Sequence, residues 1–346
     1  MSTKKVSAIV GALLAGWLGW TAVAAAQNTE LTALYENAKK EGTVTFYTSQ
    51  VGVAEQQIAQ AFKKRYPGVA VEVVYAGGGV LFERIKAEAA AGREQADVHL
   101  QSDLPLMERL READLLAQYN APEASAYPAG YHKNGYWTGI ADVVDLLIYN
   151  KMKVKPADLP ETWGNLLDAK WSGRIASVNI GGGGLPWAQF YFLRKTIDPD
   201  YWTKFAAIKP IMFDGGGAVA NAVASGKVDL GILGSSVSYG AIQDGAPLAE
   251  ILPKDGVPGV IFSIAVLKAA KHPSAARLFV NWYLSKEGQE ALVRVRGVNS
   301  PRKDVAAPAG RVSNGGVRIV VPTVEEMEPV RAAWTKEWFE IFRGAK

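Results

Sequence analysis

One local grammar appears three times in this chain: an apolar run, a cluster of glycines, then a segment with helical spacing. It is read in VEVVYAGGGVLFERIKAE (71–88), RIASVNIGGGGLPWAQFYFLRK (174–195) and IMFDGGGAVANAVASG (211–226). Short apolar runs bounded by glycine read as strands, and apolar residues recurring every three or four positions read as helices. Strand, turn and helix in alternation predict crossover units and a mostly parallel sheet. The same alternation is legible at 42–47 (strand), 53–66 (helix), 69–75 (strand), 80–92 (helix, ended by Gly92), 96–100 (strand) and 105–116 (helix). WTGIADVVDLLIYN (137–150) and GVIFSIAVLKAA (259–270) are long enough to pass from one domain into another. VDLGIL (228–233) reads as a strand, 273–296 as two helices, 303–322 as irregular and 325–342 as a last amphipathic helix. Two α/β halves joined by long strands predict a cleft between them, with ligands beyond the carboxyl ends of the strands.

The glycines carry a chemical implication. The first N–H groups of a helix lack intrahelical partners and sit at the positive end of its dipole. Glycine lets such amides approach a ligand without an intervening side chain. Each loop alone is equally an ordinary turn, but three facing a cleft would form an anion receptor. Neither the Gly-Lys-Ser/Thr ending of a phosphate loop nor the offset third glycine of a dinucleotide fingerprint is present, which disfavours nucleotides. Further polar groups follow other strands: Thr48, Ser49 and Gln50; Ser102 and Asp103; Ser235, Ser236 and Ser238. Trp187, Tyr191 and Tyr239 are the aromatic candidates for covering a ligand.

The amino terminus reads as an export signal. MSTKK is cationic, VSAIVGALLAGWLGWTAV is apolar, and small residues precede Gln27, so residues 1–26 are expected to be removed after Ala26. No Cys occurs anywhere, which excludes a lipid-modified cysteine, a disulfide framework and thiolate chemistry. Without Lys4 and Lys5 the formal charge falls from +4 to +2, and no basic cluster points to nucleic acid or a membrane surface.

An enzyme would need a nucleophile, an acid–base pair or a metal set. His99, His132 and His272 are scattered without ligand spacing. GSSVSYG (234–240) approaches a serine elbow, but Ser238 stands where the second glycine would be. Asp142 and Asp145 on the long strand are the remaining acidic pair. No catalytic residue, metal or cofactor is assigned.

The order EGTVTFYTSQ, ERIKAEAAAGREQADVHLQSD, LLIYNK, KWSGRIA, ASGKVDLGIL and FVNWYLSKEGQEAL resembles the family 1 extracellular solute-binding proteins of ABC importers, in the branch that binds ferric iron, thiamine, polyamines and phosphonates. The resemblance implies a type II periplasmic binding fold, two lobes closing on a solute, and docking on an inner-membrane permease. It places lobe 1 at 27–138 and 259–302 and lobe 2 at 139–258 and 303–346. It also implies where this chain departs from the ferric binders. Ser236 and Val237 replace their adjacent tyrosines, Val51 their histidine, and Asp142, Val143 and Asp145 their anion-holding arginines. Direct iron ligation by this set is disfavoured.

The expected protein is a monomeric periplasmic carrier of a small organic anion or zwitterion, such as a phosphonate, phosphate ester or carboxylate. Gly77, Gly78, Gly79, Gly182, Gly183, Gly184, Gly215, Gly216 and Gly217 would present amides. Ser49, Gln50, Ser102, Ser235 and Ser236 would add side-chain donors. Trp187 and Tyr239 would cover the apolar part, and Asp103 or Asp142 would accept an ammonium. A ferric complex, a polyamine and, in another class, an exported serine hydrolase are the alternatives.

Overall fold

The computed structural model describes residues 29–50, 52–182, 184–308 and 317–343. The expected export signal, Val51 and Gly183 lie outside the described residues. In chain order the elements are α1 (29–41), β1 (Thr43–Thr48), α2 (Gly52–Arg65), β2 (Ala70–Tyr75), α3 (Gly78–Ala90), β3 (Val98–Gln101), α4 (Leu104–Glu112) and β4 (Thr138–Asn150). There follow β5 (Ile175–Val178), α5 (Gly184–Phe192), α6 (Tyr201–Ala207), β6 (Ile211–Phe213), α7 (Gly216–Ala224), β7 (Leu230–Gly234), α8 (Ser235–Gln243) and β8 (Leu248–Ile251). The chain closes with β9 (Val257–Val266), α9 (Pro273–Leu284), α10 (Lys286–Arg296), β10 (Ile319–Val320) and α11 (Val324–Phe342).

The strand order is β2-β1-β3-β9-β4-β7-β5-β6, with β8 on β4 and β10 on β9. Both groups of crossover-linked strands are parallel, as alternation predicted: β1 with β2 and β3, and β5 with β6 and β7. The two long strands are antiparallel to each other and to β3, β7 and β8, with the short β10 parallel to β9, and they join the groups. Thr138–Val144 of β4 pair with β9, whereas Asp145–Asn150 pair with β7 and β8. β9 in turn passes its end to β3, pairing Ser263–Val266 there. One strand pair therefore belongs to both lobes.

Lobe 1 has cores on both sheet faces, one around Phe46, Phe62, Phe279 and Tyr283, the other around Tyr47, Leu81, Met107 and Leu267. Lobe 2 likewise has one core around Trp163, Phe190, Trp202 and Phe205 and another around Leu146, Ile148, Val219 and Leu233. Met327, Trp338 and Phe342 seat α11 on the first of these. α11 opens with a capping box, Thr323 Oγ1 accepting from Glu326 N at 3.2 Å and Glu326 Oε2 from Thr323 N at 2.8 Å.

A buried ion pair ties the start of α2 to the end of α10. Arg296 Nη1 donates to Glu55 Oε1 at 2.7 Å, Tyr283 donates to Glu55 Oε2 at 3.1 Å, and Arg296 also donates to Gln50. Burial raises the Glu55 carboxyl above its usual range, and Arg296 opposes that shift. Arg296→Met leaves this carboxylate buried without its cation and is expected to cost about 3–5 kcal/mol in a urea titration. Replacing Glu55 with Leu in the same chain is expected to recover part of that loss.

Candidate functional site

A cleft of about 660 Å³ opens where the two lobes meet. Its lobe 1 wall is Val53, Ala54 and Gln57 of α2 with Val295 and Arg296 of α10. Its lobe 2 wall is Gly217, Ala220 and Asn221 of α7 with Ser236, Val237, Gly240 and Ala241 of α8 and, after that helix, Asp244, Gly245 and Ala246, so one carboxylate, Asp244, stands on this wall at the far end of α8. The cleft thus lies against the first turns of α7 and α8. Their N-cap residues are Gly215 and Gly234, and neither offers a side-chain acceptor to the exposed amides. The N-termini of α10 and α11, which do not line the cleft, are capped by Ser285 and Thr323. A Cβ on Gly215 or Gly217 would meet nothing within 4 Å, so open space faces these amides, whereas Gly216 backs onto Val237.

Two of the three glycine loops meet the end of β3, Gly78 lying against Gln101 and Gly184 against Ser102 and Asp103. Among the described residues lining this cleft, the loop before α7 contributes Gly217. Gly182 ends a tight turn at Ile180–Gly182, and Gly184 begins α5 pressed against lobe 1. A Cβ there would stand 2.9 Å from Ser102 O and 3.2 Å from Asp103 Cα. Gly77, Gly78 and Gly79 open α3, which packs over the Tyr47–Leu81 core of lobe 1, and none of them lines the cleft. Gly78 is glycine for a packing reason: a Cβ would run into Gln101 Oε1, while Gln101 Nε2 donates to Gly78 O at 3.2 Å.

Several predicted polar residues do meet at the lobe boundary. Ser49 and Ser102 hydroxyls lie 3.4 Å apart, and Ser102 N donates to Ser49 Oγ at 3.1 Å. Gln50 Nε2 donates to Ser49 Oγ at 3.4 Å, and its Oε1 accepts from Arg296. Ser235 Oγ accepts from Val144 N at 3.3 Å, pinning α8 to the crossing strand. Ser238 is turned inward, donating to Ser235 O at 2.9 Å and bonded to Glu250. Among the described residues lining the cleft there is no histidine.

Three expected ligand contacts are occupied by the protein itself. Asp103 is buried and bound by Arg331 of α11, with Arg331 Nη1 3.1 Å from Oδ1 and Nη2 2.5 Å from Oδ2. Trp187 is 2% exposed, donates from Nε1 to Thr335 Oγ1 at 3.0 Å, and stacks on Trp334 with ring centroids 6.4 Å apart. Its indole therefore faces α11 and not a solute. The Tyr239 ring lies over Gly297, which ends α10 in the left-handed region at φ 59°, so any side chain there would strike the ring. Tyr191 also packs toward Trp334, with centroids 5.7 Å apart.

The crossing strand holds two buried acids. Tyr131 OH donates to the Asp142 carboxylate at 2.7 Å, and burial raises the Asp142 carboxyl while that bond lowers it. Asp145 is 3% exposed, opposite Gly234 in the β4–β7 register, and burial pushes its carboxyl up to about 7. Residues that sequence reasoning missed are Arg296, Asn221 and Gln57 on the cleft walls. Arg296 reaches the site by pairing with residues 241 and 246 positions away, a separation no local pattern reports.

These features are those of a known class. The sequence profile described as Bacterial extracellular solute-binding protein matches residues 47–290, and the chain belongs to that family. It is 28% identical over 266 residues to the Fe(3+)-binding periplasmic protein of Serratia marcescens, covering 70% of this chain and 77% of the relative. Iron-bound HitA from Pseudomonas aeruginosa superposes with a TM-score of 0.74 at 25% identity, covering 88% of this chain and 99% of that one. AfuA from Actinobacillus pleuropneumoniae, solved with fructose-6-phosphate, superposes with a TM-score of 0.75 at 21% identity and the same coverage. The fold is that of the type II periplasmic binding proteins.

Asp145 links the crossing strand to pH. Its folded-state value of about 7 lies above the ordinary 3.8, so between these values the folded chain holds a proton that the unfolded chain releases. Stability is full below about pH 4 and declines as pH rises to about 7, by an amount on the order of 4 kcal/mol. Asp145→Asn removes this dependence. Its stability relative to the parent, measured by chemical denaturation, is expected to grow from pH 4.5 to pH 7.5 and level off above.

Proposed function

We propose that this chain is the periplasmic substrate-binding component of an ABC importer. It captures a small organic anion or zwitterion, of the phosphonate, phosphate ester or carboxylate kind, between its lobes and delivers it to an inner-membrane permease. It works as a monomer, by lobe closure about the β4–β9 pair, and takes no part in nucleic-acid binding. The observation that carries the reading is the pair of helix N-termini, α7 and α8, that border one inter-lobe cleft with uncapped amides, beside Ser236 and Arg296. A hydrogen bond to a charged group contributes about 1.5–3 kcal/mol, and micromolar affinity needs roughly 8 kcal/mol. A handful of such bonds from Gly217, Ser236 and the neighbouring first-turn amides of α7 and α8 is sufficient. Serine nucleophilic catalysis is the weaker reading, because Ser238 stands where a serine elbow needs its second glycine.

The relatives named for ferric iron favour a second reading, a ferric complex as cargo. Against direct ligation, the described residues lining the cleft include one carboxylate, Asp244, and neither histidine nor tyrosine. Among the described residues no group of three or more His, Cys, Asp or Glu could hold a metal.

The test uses Gly217→Asp. A carboxylate in the first turn of α7 finds open space and favourable amides, so the free protein is expected to melt at an unchanged or slightly higher temperature. The same carboxylate takes the place of an anionic solute. Thermal-shift titrations with an aminoalkylphosphonate, a sugar phosphate, a dicarboxylate, ferric citrate and spermidine are expected to show stabilisation by an organic anion in the parent. That affinity should fall at least tenfold in G217D. Stabilisation by ferric citrate alone, or by spermidine alone, would overturn the assignment.

A further inference from the structure

We infer that α11 is an inter-lobe clasp: a helix rooted in lobe 2 whose Glu328 and Arg331 grip Arg109 and Asp103 of α4 in lobe 1 and bias the solute-free protein toward closed lobes. The inference uses the two-lobe reading of the cleft but no property of the solute.

The root of the clasp is apolar. Met327, Trp338 and Phe342 are buried with Trp187, Phe190 and Trp202, and Trp202 and Phe342 ring centroids are 6.2 Å apart. Arg194 holds the same side of the helix, with Nη1 2.7 Å from Glu337 and its guanidinium 4.5 Å over Trp334. The grip is ionic. Glu328 and Arg331 lie one turn apart on α11 with the imino acid Pro329 between them, and they pair with Arg109 and Asp103 of α4 in opposite senses. α4 itself is anchored in lobe 1 through Met107 and Leu110. The two attachments differ in kind: aromatic burial holds α11 to its own lobe, and charge alone joins it to the other.

The Arg331–Asp103 pair is the stronger half. It is two-pronged, with Asp103 side chain 7% and Arg331 side chain 26% exposed, and the guanidinium also covers the Trp187 ring at 5.4 Å. Asp103 occupies the N-cap of α4 without capping it, so its carboxylate is spent on α11 instead of its own helix. Beside it, Ser102 O and Asp103 Cα touch the start of α5, so closing this grip brings the two lobes together at Gly184. Opening the lobes by moving α4 away from α5 must separate both ion pairs. Such contacts weaken as salt rises, whereas the aromatic root does not.

The absence of cysteine makes the test clean. Lys64→Cys in lobe 1 and Met152→Cys in lobe 2 are exposed sites for spin labels, and pulsed dipolar spectroscopy on the full solute-free chain reads the distance between lobes. Arg331→Gln is expected to move the distribution to longer distances, and 0.5 M NaCl is expected to do so in the parent and by a smaller amount in R331Q, where only the Arg109–Glu328 pair is left to screen. Charge exchange, Asp103→Arg with Arg331→Asp, should restore the shorter distance. The more exposed exchange, Arg109→Glu with Glu328→Arg, leaves the parent distance unchanged although either single change lengthens it. A distribution unmoved by R331Q in a chain with normal circular dichroism would overturn the clasp. So would exchanged pairs that behave like their single variants. Because no solute enters the measurement, its failure leaves the anion assignment standing.

Discussion

The antiparallel pairing of β4 with β9 is the constraint on which the rest of this structure depends. Each strand spends part of its length in one lobe and part in the other, so every other element is positioned by which half it follows. Val144 and Asp145 mark the change of partner on β4, and Ser235 of α8 is bonded to Val144 N at 3.3 Å. A two-strand connection of this kind resists shear along the ladder yet permits rotation about it, which is the movement a closing cleft requires. The buried Asp145 sits at this change of partner, a place where the strand carries a group it does not readily ionise.

Much of the fold was legible because it is local. Period-two runs and helical spacing located the strands at 43–48 and 70–75 and the helices at 273–284 and 286–296 within a few residues. The short elements α6, β8 and β10 were not distinguished, since a few apolar residues have no measurable period. α8 was hidden for another reason: GSSVSYG was weighed against a serine elbow, whereas in the fold Ser235 is bonded to Val144 N and Ser238 to Glu250. Gly78 was read as an anion contact from its loop alone, and its place beside Gln101, 23 positions on, is not written in the local pattern. Trp187 and Asp103 were read as facing the cleft because nothing near them in sequence announces α11, 148 and 228 positions away.

The solute is decided by the walls of the cleft and not by the architecture. The same fold is found in a protein solved with iron and in one solved with fructose-6-phosphate. A ferric ion needs hard anionic ligands converging on a point. Uncapped amides and hydroxyls spread along two helix ends suit a larger ligand whose negative charge is shared among several oxygens. The lobe 1 wall adds Val53 and Ala54, apolar surface that a bare metal ion would not use.

Native mass spectrometry of the chain exported and purified without refolding tests the central claim most directly, because a closed cleft retains what it captured. The account predicts a bound mass of a small phosphorus- or carboxylate-containing molecule that is released on mild activation, with no iron in the complex. A retained mass corresponding to ferric iron, alone or with a chelator, would contradict it.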